Sequence, residues 1–149
     1  MSRSAAMPVA AFVVLTLACG GGAENAADQA AETSAPGRAI VIVSPAEGET
    51  VQGPGLTVRM EARGFTVVPA GDATPNSGHL HLYLDRDLTA GDVPIPVEPG
   101  FIVHMGTGTT EYVFENVPAG EHRLIAAVGD ALHVPLQPWV VDTIRFTVR

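Results

Sequence analysis

The sequence predicts an all-β protein: an immunoglobulin-like Greek-key β-sandwich of about seven strands, preceded by a signal peptide and a disordered tether. Three observations lead there. Short segments rich in Val, Ile, Leu, Phe and Tyr alternate between apolar and polar residues. Clusters of Gly, Pro and Asp separate them at nearly regular spacing. No stretch carries the 3.6-residue period of an amphipathic helix.

The first segment lies outside the fold. Residues 1–18 read as an export signal: Arg3 gives a short basic start, Val9 to Ala18 is apolar apart from Thr16, and small Ala18 precedes Cys19. The apolar run is too short for a membrane-spanning helix, which needs about 20 residues. Leu15-Thr16-Leu17-Ala18-Cys19 resembles a bacterial lipobox, with Thr16 at the position usually held by leucine. That resemblance implies lipidation at Cys19, membrane attachment through the acyl chains, and an exported protein anchored to the bacterial cell envelope and facing the periplasm. Cys19 is the single cysteine, so no intramolecular disulfide is available. Residues 19–37 contain Gly, Ala, Asn, Asp, Glu, Gln, Ser and Pro without an aromatic residue, a composition expected to stay a flexible tether.

The remaining residues, 38–149, form one domain. The strand pattern runs through Ala39–Val43, Leu56–Phe65, His79–Asp85, Phe101–Met105, Glu111–Val117, His122–Val128 and Val140–Val148. Ser44-Pro45 ends the first strand, and Pro118-Ala119-Gly120-Glu121 makes a turn before the sixth. Asp142 interrupts the last strand. Three connections exceed what hairpins need, at 66–77, 86–100 and 131–138, and long loops on a rigid scaffold commonly carry function.

Charge narrows the classes of partner. The chain has no lysine and a net charge of −8; without residues 1–18, seven arginines face sixteen acids, giving −9. Such a surface argues against nucleic-acid binding and against a polybasic membrane patch. Catalytic signatures are missing as well. There is no Gly-x-Ser-x-Gly elbow and no glycine-rich phosphate loop opening a helix. The expectation is a protein that is not an enzyme, acting as a monomer.

The densest chemistry lies in Gly78-His79-Leu80-His81-Leu82-Tyr83-Leu84-Asp85. Its leucines claim a core face. His79, His81 and Tyr83 therefore share the opposite, outer face, with the histidine Cβ atoms about 6–7 Å apart. Two imidazoles at that spacing can grip one transition-metal ion. His104 near a strand end and His133 in a long loop are the further ligands, and Asp130 is placed to orient an imidazole from behind. Met105 alternates away from His104 but becomes a soft ligand if the strand ends there, which favours copper. Tyr83 is an auxiliary residue on the same face, more in keeping with packing or hydrogen bonding than with ligation. His122 follows a turn and is expected to be solvated. The cupin pattern of His-x-His followed by Glu and a later Pro-x-Gly-x-x-His is missed in both halves, by Asp85 and by Pro118 to His122.

From about residue 60 onward the chain resembles a bacterial family known as domain of unknown function 4399. The matching elements are Gly78 to Asp85, the preceding Val68-Pro69-Ala70-Gly71 and Thr74-Pro75-Asn76-Ser77-Gly78, Pro94-Ile95-Pro96, His104-Met105-Gly106, Pro118 to His122, and Gly129-Asp130-Ala131-Leu132-His133-Val134-Pro135. Leu80 and Ala131 stand where the family has further histidines. The resemblance implies no particular activity, but it retains His79, His81, His104 and His133. The expected function is an envelope lipoprotein that holds or delivers copper or zinc through these four residues, with affinity falling below pH ~6.5 as free imidazole protonates. The alternative is an interaction module without metal that contacts a protein or glycan through its loops, with Trp139 and Phe101 as the apolar contact residues.

Overall fold

The computed structural model describes residues 37–149. The signal segment, Cys19 and the tether expected at 19–37 lie outside the described residues, apart from Gly37. The described residues contain no helix and form nine strands in two sheets. The strands are β1 (Ala39–Ser44), β2 (Thr50–Val51), β3 (Leu56–Arg63), β4 (Thr66–Val67), β5 (Ser77–Leu84), β6 (Ile102–Met105), β7 (Glu111–Phe114), β8 (Gly120–Gly129) and β9 (Val141–Val148). The all-β sandwich expectation is borne out. All seven predicted strands are present, and the two additions, β2 and β4, are two-residue pairs along sheet edges.

The smaller sheet has the order β1-β3-β7 and the larger one β2-β9-β8-β5-β4, with β6 also paired to β5. Strands β4 and β6 share one edge of β5, at Ser77–Gly78 and Leu80–Tyr83 respectively. Alternation in β3 decides the facing of the small sheet: Leu56, Val58 and Met60 are buried while Thr57, Arg59 and Glu61 are exposed. These side chains meet Leu80, Leu82 and Leu84 from β5, Leu124, Ala126 and Val128 from β8, and Ile144, Phe146 and Val148 from β9 in one continuous core. At about 25 cal/mol per Å² of apolar surface removed from water, this interface is the principal source of stability in a domain without a disulfide.

The larger sheet departs from the expected one-sided burial. Strand β5 is buried on both faces, its outer one being closed by the connections 86–100 and 131–139. There Tyr83, Ile95, Ile102, Ile125, Ala127 and Val141 form a second, smaller core, with Leu88 and Trp139 packed against it. The Tyr83 hydroxyl donates to Thr89 Oγ1 at 3.1 Å, which anchors the first connection over the sheet. Tyr83 is thus a packing and hydrogen-bonding residue rather than an auxiliary to the metal ligands. Trp139, one of the two expected contact residues, is half-buried against this core. Phe101 is 38% exposed, and the Arg86 guanidinium covers its ring at 3.8 Å.

Two polar side chains tie distant elements together. Asp142 does not interrupt β9; its carboxylate accepts a hydrogen bond from the Ile42 amide of β1 at 2.7 Å, joining the two sheets. His122, expected to be solvated, is only 9% exposed. Its Nε2 donates to the Pro118 carbonyl at 2.9 Å, its Nδ1 meets Asp85 Oδ2 at 2.7 Å, and its ring lies 5.5 Å from that of Phe146.

Replacing Asp142 by alanine leaves the buried Ile42 amide without its partner. The expected cost is about 1–3 kcal/mol of unfolding free energy, read as a lower denaturation midpoint with an unchanged slope. An unaltered midpoint would show that the link between the sheets carries no stability.

Candidate metal centre

The site grows out of strand register. Across one edge of β5, His81 stands opposite His104 of β6; across the other, His79 stands opposite Gly129 and His81 opposite Ala127 of β8. The small residues on β8 leave room above the sheet for two imidazoles. A Cβ at Gly129 would lie 3.1 Å from His81 Nε2, and one at Gly106 would lie 3.2 Å from His104 Nε2. Three of the histidines are therefore placed by backbone pairing.

The fourth, His133, comes from the connection after β8 and has a left-handed backbone, with φ of 68°. Asp130 builds that conformation. Its Oδ1 accepts hydrogen bonds from the amides of Leu132 and Val134 at 2.8 and 2.9 Å, and its carbonyl accepts one from the His133 amide at 2.9 Å. The His133 carbonyl in turn accepts from the Ile95 amide at 2.9 Å, which joins the two covering connections. Asp130 thus positions His133 through the backbone. Its carboxylate makes no hydrogen bond to an imidazole: Oδ1 serves the turn, and the charge acts on His79 only through space.

All four rings converge. Their centroids are separated by 4.4 Å (His104–His133), 4.7 Å (His79–His133), 4.8 Å (His79–His81), 4.9 Å (His79–His104), 5.1 Å (His81–His104) and 5.9 Å (His81–His133). His79, His104 and His133 each offer a ring nitrogen within 4.8 Å of the others, so these three are close enough to hold a metal ion. His81 adjoins this trio through a 2.9 Å contact between its Nε2 and that of His79. Met105 falls on the other side of the sheet. Strand β6 continues through it, and at 4% exposure it belongs to the main core, so it is not an auxiliary ligand.

The electrostatics follow from this crowding. His79 and His81 are 1% and 0% exposed. Burial is the first cause lowering His79 to about 4, followed by the neighbouring His104 and His133 rings, against an upward pull from Asp130. Burial lowers His81 further, to about 3, with His79, His104 and His133 adding to it. His104 is also lowered, by burial and then by His133. His79, His81 and His104 are therefore biased toward the neutral imidazole, the form that ligates metals. Two of the cluster's nitrogens, His81 Nδ1 and His104 Nε2, are buried without a protein hydrogen-bond partner. Buried polar atoms are usually paired, and a cation among these rings would supply what the protein does not.

A cleft of about 510 Å³, lined by Asp85, His122, Arg123 and Arg145 among others, lies beyond the C-terminal end of β5, away from the histidine pair near its start. It does not form part of this site.

Fold and site together define a β-sandwich module with a histidine cluster on a covered sheet face, three of whose rings can hold a metal ion. The chain belongs to the family described as domain of unknown function DUF4399, whose model matches residues 58–149 and so agrees with the resemblance read from residue 60 onward. No match is found among curated proteins. Among solved structures, the crystal structure of an engineered protein is similar with a TM-score of 0.41 and 13% identity, over 75% of this chain and 20% of that one. The chain thus spans about a fifth of that protein's length.

The unfolded chain takes up protons at its histidines near pH 6.5, whereas folded His79 and His81 wait until about 4 and 3. The unfolded state then holds more protons between those limits. Stability should be flat above about pH 6.5 and fall toward pH 4 by up to about 1.4 kcal/mol per pH unit for each ring. Chemical denaturation of the metal-free protein at pH 7.5, 6, 5 and 4 measures this, and a pH-independent midpoint would contradict it. Asp130→Ala should weaken metal binding roughly 10–100-fold through loss of the His133 turn. Asp130→Asn, whose amide oxygen can accept the same two hydrogen bonds, should bind within a few-fold of wild type.

Proposed function

We propose that this protein is a lipid-anchored envelope protein whose β-sandwich holds or delivers a transition-metal ion through His79, His81, His104 and His133, without catalysis. The observation that carries the reading is the convergence of four imidazoles on one covered sheet face, three with ring nitrogens within 4.8 Å and two nitrogens of the set buried without partners. An ion bound by His104 Nε2 would give that buried nitrogen the partner that the protein does not supply. The anchor at Cys19 and export to the envelope rest on the sequence of the first nineteen residues.

Copper is the favoured ion, and zinc the second. With Met105 in the core, the donors are all nitrogen, so the preference rests on imidazole chemistry, where Cu²⁺ stands above Zn²⁺ in affinity. Because the His79 and His81 rings stay neutral far below pH 6.5, proton competition at this pair should set in nearer pH 4, lower than free imidazole predicts.

Of the two contact residues of the interaction-module alternative, Trp139 packs against the second core, and Phe101 is 38% exposed beneath the Arg86 guanidinium. The test is a titration of the metal-stripped protein with Cu²⁺, Cu⁺ and Zn²⁺ beside a His79→Ala/His81→Ala variant. Saturable one-to-one binding is expected, tightest for Cu²⁺ and lost in the variant. Equal binding by both proteins, or none by the wild type, would remove the reading.

A further inference from the structure

Gly129 differs from the turn glycines of this chain. Gly64, Gly71 and Gly100 have positive φ, a region that L side chains rarely adopt. Gly129 ends β8 without a left-handed backbone, so its conformation would accept a side chain. Glycine in a strand is unfavourable on entropic grounds, and it often marks close approach by another group. Here the group is identifiable. A methyl at 129 would lie 3.1 Å from Nε2 and 3.3 Å from Cδ2 of His81. The His81 ring can give way only by shifting against its neighbours in the cluster: it is fully buried, touches His79 through the 2.9 Å nitrogen contact, and stacks on His104 at 14° between ring planes.

We infer that Gly129 is a positioning residue that sets the number of histidines in the site. With only hydrogen at 129, the His81 nitrogen faces the other rings and four donors gather. With a methyl there, His81 is displaced, and the His79, His104 and His133 trio remains. The inference rests on the metal reading of the site and specifies its coordination number.

The experiment compares wild type, Gly129→Ala and Gly55→Ala by Cu²⁺ titration and by electron paramagnetic resonance of the copper-loaded proteins. Gly55 is the control, since a methyl there meets nothing within 4 Å and its backbone is not left-handed. Wild type and Gly55→Ala should show hyperfine coupling to four nitrogens. Gly129→Ala should show three, with affinity lower by roughly tenfold or more and a retained β-sheet circular dichroism spectrum. A Gly129→Ala protein with the four-nitrogen spectrum and wild-type affinity overturns the inference, as does an equal loss in both variants. If wild type takes up no copper, the metal reading falls by itself. The positioning role is then decided by the imidazole ¹⁵N signals of the metal-free proteins. A His81 signal moved in Gly129→Ala but not in Gly55→Ala supports it, and an unmoved one overturns it.

Discussion

Four imidazole rings are packed against one another, two of them buried and two half-buried, and the surrounding elements are arranged to permit this. A buried polar ring is costly unless its nitrogens are paired, and a buried charged one costs more. The protein meets the second cost by keeping His79 and His81 neutral far below the usual imidazole range. It meets the first only in part: His79 and His81 satisfy one another through a single contact, and His81 Nδ1 and His104 Nε2 have no protein partner. The small residues of β8 opposite β5, the turn built by Asp130 and the closure of the outer sheet face all bear on this cluster.

The leucine side of β5 was legible because strand alternation states which residues share a face. It does not state what covers that face. The histidine side reads as outer in sequence because its cover comes from residues 86–100 and 131–139, brought over the sheet by contacts such as Tyr83 with Thr89 and Ile95 with His133. The four histidines were likewise nominated from pattern and family resemblance, but their convergence depends on pairing register, which places His81 against His104 with 22 residues between them. For Met105, alternation away from His104 is the decisive signal, because the strand reaches far enough for it to hold.

Residues that act through the backbone were harder to see. The carboxylate of Asp130 reads as a partner for an imidazole, yet it works by capping a turn, and the spacing Asp130-Ala131-Leu132-His133 admits either role. His122 reads as solvated because its partners, Asp85 and the Pro118 carbonyl, are not identifiable from its neighbours in sequence. The one available sign was Asp85 closing a leucine-backed strand, where a carboxylate needs a donor. Asp142 looked like a break in β9 because its partner, the Ile42 amide, lies 100 residues away on the other sheet.

The two halves of the cluster differ in how they are held, and this bears on holding against delivery. His79 and His81 are buried on a central strand paired along both edges. His104 and His133 are half-buried, one on the edge strand β6 and the other in a connection fixed by Asp130 and Ile95. The proposed ion would therefore meet His104 and His133 first from solvent and reach His79 and His81 last. The trio's nitrogens, spread over as much as 4.8 Å, must also draw together to the roughly 3 Å spacing of ligands on one ion. The sheet cannot supply that movement without breaking its register, whereas a side chain on an edge strand or a loop can. The rigid pair then suits retention and the outer pair capture and release, a division expected of a site that exchanges its ion more than of one that encloses it permanently.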